Sequence, residues 1–280
     1  MKKRIMVCAV LFLLSVGCDR MRWFYDYMDW YIIYRIDEYF DIDERQEKFL
    51  RNKVAAFHAW HRKEEIPRLI ALLKRIKREL GSGINRENLS WIKNEFDELK
   101  IRIDSRVAPD IGQFMSTLGK EQIDHFSRQL IKSNEKYEKK ITEPEEKWRE
   151  SEQKKVLSRM EKWFGDLTGK QKDAIVADLE LSRQKLKDNY ERRQKVQAKM
   201  VRMLREKKDS AEIRSVVSAW FLAPNPLQAD KHNTVENDRQ QSWMKVWLKL
   251  ETVLTGRQRQ HASRKLQKYI EDLEAIRAGG

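Results

Sequence analysis

Helix-breaking residues are scarce in this chain. Its 280 residues include 10 Gly and 5 Pro, about 5% together, whereas an average protein holds roughly 12%. Turn-rich sandwiches, collagen-like repeats and glycine-rich phosphate-binding folds all require more of these residues. The 9 Trp, 8 Tyr and 10 Phe are numerous enough to build a core and argue against wholesale disorder. We therefore expect an all-α protein, an elongated multi-helix bundle of long amphipathic helices.

Helix start signals recur along the sequence. In each of them an N-cap residue is followed three positions later by Gln or Asn, the pattern of a capping box. The N-cap positions are Asp43, Asn85, Gly119, Thr168 and Thr255, and Gly119 supplies only half a box because it has no side chain. With the intervening breaks, the pattern predicts helices at about 43–80, 85–107, 119–141, 144–164, 168–207, 210–221, 235–253 and 255–277. Pro67 predicts a kink or break near Glu65 and Ile66.

The N-terminus has the layout of an export signal. Residues 2–4 are basic, residues 5–16 are an unbroken apolar run, and Gly17 and Cys18 follow. The apolar run is shorter than the roughly 20 residues of a membrane-spanning helix, which favours a signal peptide over an uncleaved anchor. Cys18 would be the sole cysteine of the mature chain, so it is either a lipid attachment site or an unpaired thiol.

The residues before Cys18 resemble a bacterial lipobox, although Ser15 stands where that motif usually has Leu. The resemblance implies that Cys18 is acylated and becomes the new N-terminus. It divides the chain into a lipoprotein signal peptide (1–17), a lipid-anchored aromatic segment (18–42) and an all-helical periplasmic domain (43–280). We expect the protein in the cell envelope, lipid-anchored and facing the periplasm. By resemblance to enterobacterial lipoproteins, Asp19 slightly favours the inner membrane over the outer.

An unusually aromatic segment follows. Residues 23–40 hold nine aromatic side chains in eighteen positions. Trp23, Tyr27, Trp30 and Tyr34 are spaced to share one face of a helix. This face would either pack into the core or lie at the membrane interface, where Trp and Tyr are favoured.

Two resemblances to known families involve short motifs. Leu167-Thr168 with Gln171 and Leu254-Thr255 with Gln258 are similar to the L-T-x-x-Q motif of periplasmic helical chaperones and stress proteins. The aromatic segment together with Trp60-His61-Arg62 and Glu65-Ile66-Pro67 resembles an uncharacterised family of Gram-negative helical lipoproteins. The second resemblance implies a helical fold, lipidation and an envelope location, and it implies no catalytic residue or cofactor.

One histidine pair could bind a metal. His58, His61 and Glu65 share one side of a helix, but no His-Glu-x-x-His motif or second cysteine accompanies them. The competing interpretation is that His61 is partly buried and hydrogen-bonded to Glu64 or Glu65. We favour this interpretation and therefore predict no metal site. Trp60 and Arg62, with Pro67, fit a helix bend or a partner contact better. No nucleotide-binding or catalytic motif is present, so we predict no catalytic residues, no cofactor and no enzyme activity.

The positive charge is unevenly distributed. Lys and Arg exceed Asp and Glu by 14 overall, yet residues 18–50 carry five bases and nine acids, and residues 183–214 carry twelve bases and five acids. Arg192, Arg193 and Lys199 lie in this basic stretch. It is either a solvated helix face or a surface for a protein partner or an anionic envelope component. Nucleic acid is not an expected partner of an exported protein.

These features predict a protein that acts by binding. Cationic helices that carry Met160, Met200, Met203 and Met244 would suit adaptable contact with clients, as in a chaperone-like or scaffolding role in envelope maintenance. The alternative is a structural or assembly lipoprotein that tethers one specific envelope partner through its aromatic segment, with Trp23, Trp30 and Trp60 as contacts. The sequence does not define the oligomeric state.

Overall fold

The computed structural model describes residues 21–206, 211–213, 216–217 and 244–279. The predicted signal peptide and Cys18 lie outside these residues, as do parts of the predicted helices at 210–221 and 235–253. The described residues form helices joined by short turns and contain no strand. The prediction of an all-α multi-helix bundle is thus confirmed.

In the described part of the chain, ten α-helices have defined bounds. They are α1 (Met21–Asp26), α2 (Met28–Phe40), α3 (Glu44–Trp60), α4 (Ile66–Ser82), α5 (Arg86–Met115), α6 (Lys120–Thr142), α7 (Glu145–Phe164), α8 (Gly169–Ala177), α9 (Arg183–Arg205) and α10 (Gly256–Ala278). A π-helical segment, His61–Glu65, joins α3 to α4 without a loop. Residues 244–253 are also helical.

The π-helical segment lies just before Pro67, where the sequence predicts a kink. Proline has no N–H group and its ring collides with the carbonyl four residues earlier, so the regular hydrogen-bond ladder fails there. The chain widens by one residue instead: the amide of Ile66 bonds the carbonyl of His61, five residues back. The helix is therefore irregular at His61–Glu65. Within this segment, His61 and Glu65 are buried in the interior.

Two predicted helices differ from the structure. The expected end of a helix at residue 107 is wrong, because α5 continues through Pro109 to Met115. Pro109 and Ser105 are exposed, so water can bond the carbonyl that loses its partner. The predicted helix at 168–207 is interrupted between α8 and α9, and the Ser182 side chain caps the start of α9 by accepting from the amide of Lys185.

The helices surround two hydrophobic cores. The first lies between α1, α4, α7 and α10, and the second between α3, α6 and α9. The long helix α5 contributes to both cores, with Leu99 and Ile103 in the first and Phe114 in the second. Full burial of an apolar side chain of this size stabilises a fold by roughly 1.5–3 kcal/mol, so α5 ties the two cores into one structure.

The capping boxes do more than start helices, because their glutamines bond one another in pairs. The side-chain amide of Gln171 donates to Gln258 Oε1 over 2.8 Å and to the carbonyl of Val253 over 2.7 Å. The side-chain amide of Gln258 donates in the same way to Gln171 Oε1 and to the carbonyl of Asp166. We call this arrangement a glutamine clasp. It joins the starts of α8 and α10, which lie 87 residues apart in the sequence.

A second glutamine clasp joins the starts of α3 and α6. Gln46 and Gln122 exchange side-chain bonds of 3.1 and 2.6 Å. The amide of Gln122 also donates to the carbonyl of Asp41, and that of Gln46 donates to Thr117. The recurring motif in the sequence therefore corresponds to two similar joints, one beside each core.

Candidate functional site

The aromatic residues near the N-terminus form an exposed strip on α1 and α2. Trp23, Tyr27, Trp30 and Tyr34 are 61%, 52%, 59% and 51% exposed, and we call these four residues the aromatic surface. Their rings meet in pairs four residues apart, Trp23 on Tyr27 at 4.5 Å and Trp30 on Tyr34 at 5.4 Å between centroids. The interpretation that this face packs into the core is wrong.

The opposite side of the same two helices is buried. Tyr25 and Met28 pack into the first core and Ile33 into the second, and α1 lies against α10. Tyr25, Met28 and Ile33 alternate in the sequence with the four exposed aromatic residues, so their burial fixes the aromatic surface to the bundle. Its exposure follows from the way α1 and α2 dock on the bundle.

Beneath the aromatic surface, Tyr25 is held by the two histidines of α3 and the π-helical segment. Its ring stacks on His58 with centroids 4.9 Å apart, and its hydroxyl shares a hydrogen bond of 3.2 Å with His61 Nδ1. The guanidinium of Arg62 lies over the Tyr25 ring at 5.6 Å. His58 Nδ1 is 2.6 Å from Asp29 Oδ1. We call these five residues the tyrosine cluster.

Burial changes the acid–base behaviour of the tyrosine cluster. Loss of solvent raises the pKa of Tyr25 to about 12 and lowers the pKa of His61 to about 4. The pKa of His58 is also lowered, mainly by burial and against the pull of Asp29. Both histidines are therefore neutral near pH 7. The Nε2 atoms of His58 and His61 are buried and have no hydrogen-bond partner among the described residues.

A buried ion pair completes this region. Glu65 is fully buried, and its carboxylate accepts two-pronged bonds from Arg102 of α5 at 2.9 to 3.1 Å. Arg68 approaches the same carboxylate at 3.4 Å. Because Glu65 bonds Arg102 and His61 bonds Tyr25, the expected bond between His61 and a neighbouring glutamate is absent. Within the described residues, no three His, Cys, Asp or Glu side chains are placed to hold a metal ion.

The candidate residues Trp60, His61 and Arg62 all pack within the fold. Trp60 is half-buried against the first core and lies 5.6 Å from the ring of Phe57. His61 is buried and Arg62 half-buried in the tyrosine cluster. The motif therefore forms the bend and the seat for Tyr25, in keeping with the helix-bend interpretation.

The basic stretch is the antiparallel partner of α6. Helix α9 has nine Lys and Arg and two acids, and α6 has six and four, so the pair carries nine of the fourteen excess positive charges. Arg193 points between the two helices and donates hydrogen bonds to Asn134 and Ser133 of α6 at 2.8 and 2.9 Å. Arg192 bonds Asn189 of its own helix, while Lys199 is exposed.

An open groove of about 550 Å³ runs between these two helices. Leu130, Ile131, Ala198 and Val201 form its apolar floor. Arg202, Arg205 and Glu206 lie at one end of the groove; its remaining lining residues are Ser127, Asn134, Gln194 and Gln197. Ile131 is 63% exposed. We call this feature the basic groove.

The four candidate methionines do not form a surface. Met160 and Met200 are 3% exposed, Met203 is 6% and Met244 is 9%. All four serve as packing residues, so the expected methionine-lined contact surface is wrong.

One protein family matches most of this chain. The profile of DUF6279, a family of unknown function, matches residues 38–218, which are 181 of the 280 residues. The chain belongs to the DUF6279 family. The DUF6279 match begins near the end of α2, so it contains the π-helical segment, Arg102 and the basic groove. The aromatic surface lies before the DUF6279 match, and α10 lies after it.

No curated protein and no solved structure matches this chain. Of the helices in the described part of the chain, none has both the length and the apolar character required to cross a membrane.

Several residues of the site give no signal in the sequence. Tyr25 falls outside the aromatic stripe, and it meets His61 across 36 residues. Arg102 meets Glu65 across 37 residues. The basic groove could have been suspected from Leu130 and Ile131 on one helix and Val201 on another. The pairing of α6 with α9 was needed to bring them together.

Proposed function

We propose that this DUF6279 protein is a lipid-anchored, periplasm-facing helical lipoprotein that acts by binding, in a scaffolding or chaperone-like role in envelope maintenance. The signal layout and Cys18 support the anchor and the location. The observation that carries the binding role is the basic groove, a concave apolar strip bordered by positive charge on the surface of α6 and α9. We propose an acidic, partly apolar protein segment as its ligand.

The distribution of charge around the groove supports this choice. Lys195, Lys199 and Arg202 are spaced at i, i+4 and i+7, so they share one face of α9 beside the groove. Lys195 and Lys199 are exposed. A free phosphate would use these charges but would leave the floor of Leu130 and Ile131 empty. A protein segment with acidic and apolar side chains would use both.

The burial of the methionines favours a second candidate function, in which the protein tethers one specific envelope partner. Adaptable binding of many clients calls for flexible apolar side chains at the surface. Here the four candidate methionines are packed in the interior. A groove with a fixed shape and few exposed apolar residues suits one partner of matching charge better than many unrelated ones.

The binding role can be tested by cross-linking and co-purification from the native host. We expect Lys195→Glu/Lys199→Glu to lose a discrete cross-linked partner, and Ile131→Ser to weaken its capture. Lys48→Glu/Lys170→Glu is the matched control, because both lysines are exposed and lie outside α6 and α9. An identical set of partners for wild type and the α9 variant would reject the groove as the binding site.

Aggregation assays separate the two versions of the role. A general chaperone should suppress aggregation of several unrelated client proteins at stoichiometric ratios. A tether should have no such effect but should still lose its one partner in the α9 variant.

Lipidation is checked independently, since mass spectrometry should find an acyl increment on the wild type that Cys18→Ser lacks. A wild-type chain without that increment and free of membranes would reject the anchor.

A further inference from the structure

The aromatic surface has the composition of a membrane-interface contact. Its four members are Trp and Tyr, whose rings combine an apolar body with a polar tip and favour the headgroup level of a bilayer. Tyr31, which borders the aromatic surface, is 41% exposed. Protein-binding hot spots centre on well-packed pockets, and the groove between α6 and α9 is lined by none of these four residues.

The charges around this surface also bear on its partner. Asp26 next to it is exposed, and Asp37, Glu38 and Asp41 lie beyond Tyr34 toward the end of α2. Residues 19–41 carry three bases and six acids. This net negative charge disfavours anionic lipids, so the aromatic rings would supply most of the attraction to the membrane. The acidic end would remain in water while the end near Trp23 lies deepest.

The position of the surface in the chain limits its distance from the membrane. Trp23 is five residues after Cys18, and five residues span at most about 18 Å when fully extended. The headgroup region of one leaflet is about 5–7 Å thick. If Cys18 carries the lipid, the aromatic surface cannot lie far from the headgroups.

From these observations we infer that the aromatic surface, Trp23, Tyr27, Trp30 and Tyr34, lies in the headgroup region of the bilayer and fixes the orientation of the whole helical domain. This inference rests on the proposed lipidation of Cys18. It adds a second, non-covalent contact to the anchor. Because Tyr25, Met28 and Ile33 bind the same helices to both cores, a membrane-bound aromatic surface orients the domain instead of leaving it free to swing.

The test uses the mature lipoprotein purified from host membranes and reconstituted in phosphatidylcholine vesicles. Tryptophan fluorescence is measured with lipids brominated near the headgroup and, separately, with acrylamide in the water. We expect brominated lipid to quench the wild type, and Trp23→Tyr/Trp30→Tyr to lose most of that quenching while keeping an aromatic surface. Trp91→Tyr/Trp163→Tyr, which replaces two half-buried tryptophans, should retain it.

Three results would overturn the inference. Quenching of Trp23 and Trp30 by acrylamide alone would show that the surface faces water. Protection from both quenchers would show that a second copy or another protein covers it. Binding that requires phosphatidylglycerol in the vesicles would show that basic residues, not aromatic rings, make the contact.

Mass spectrometry and vesicle flotation of the same sample keep the two proposals separate. A chain that has the acyl increment and floats but shows no lipid quenching would overturn the membrane contact and leave the anchor in place. A chain without the increment that still floats and is quenched would reject the anchor and support the contact. A chain that neither carries the increment nor floats would overturn both.

Discussion

Mild acid should destabilise this protein through the tyrosine cluster, before most carboxylates titrate. His61 is 3% exposed, its Nδ1 is bonded to Tyr25 and its Nε2 has no hydrogen-bond partner among the described residues. A proton on this ring would place a charge in the buried interior, where the loss of solvent is costly. Burial, together with repulsion from His58, therefore lowers the pKa of His61 from 6.5 to about 4.

The direction and the size of this pH effect on stability follow from the linkage between protonation and folding. The unfolded chain takes up a proton at this histidine below pH 6.5, whereas the folded chain does so only below about pH 4. Stability is therefore complete above pH 6.5 and is lost as the pH falls from 6.5 toward 4. From these two pKa values the loss is about 2 kcal/mol at pH 5 and approaches about 3 kcal/mol at lower pH. His58, whose pKa is also lowered, adds to the loss in the same direction.

Urea unfolding followed by circular dichroism at pH 7.5 and pH 5 measures this loss. His61→Asn removes the titrating ring but keeps a polar group near the Tyr25 hydroxyl. We expect this variant to be less stable than wild type at pH 7.5 and to show a pH dependence smaller by about 2 kcal/mol. His261→Asn, which replaces an exposed histidine, should keep the wild-type pH dependence. An equal pH dependence in His61→Asn and wild type would refute the argument.

Three further predictions concern stability at neutral pH, each measured by urea unfolding. Glu65→Gln should destabilise by about 3 kcal/mol because it breaks the buried pair with Arg102, and a loss within 0.5 kcal/mol, the usual range of a surface substitution, would show that the pair is not structural. Gln171→Ala should cost about 1–3 kcal/mol. Adding Gln258→Ala should cost less than its single effect, since both disrupt one glutamine clasp; full additivity would count against the clasp. Pro109→Ala should stabilise by about 1–2 kcal/mol because it restores a helix hydrogen bond, and a neutral or negative effect would contradict this.

The helix starts could be predicted from sequence because they depend on local chemistry. Asp43, Asn85, Thr168 and Thr255 each cap a helix that begins at the next residue, and each accepts from the amide three residues on. A side chain and an amide three residues apart meet in almost any context. The pairing of the capping glutamines into clasps could not be predicted, because it requires contacts across 76 and 87 residues.

The two helix errors have different causes. Pro109 normally ends a helix, but here Ala108 is buried at 1% exposure and Phe114 at 3% in the second core. Burial of the residues on both sides outweighs the missing bond. Between α8 and α9 the sequence Asp178 to Ser182 contains no Gly or Pro, and the only local sign of the break is Ser182, whose side chain caps α9.

The aromatic surface illustrates the limit of periodicity. The spacing of Trp23, Tyr27, Trp30 and Tyr34 correctly places them on one face, yet it does not reveal whether that face is inside or outside. An aromatic stripe is usually buried, because large apolar rings gain most from leaving water. The outcome is reversed here because Tyr25, with its hydroxyl satisfied by His61, occupies the core instead.

The aromatic surface and the basic groove are linked through direct packing of α2 on α6. Phe40 at the end of α2 stacks on Phe126 of α6 at 4.5 Å and meets Phe114 edge-on at 5.2 Å. His125 Nε2 lies 3.1 Å from the carbonyl of Glu38. The basic groove begins at Ser127, the residue after Phe126. A membrane contact at one end of α2 would thus set the position of the groove at the other end, and a partner held there would keep a defined height above the bilayer.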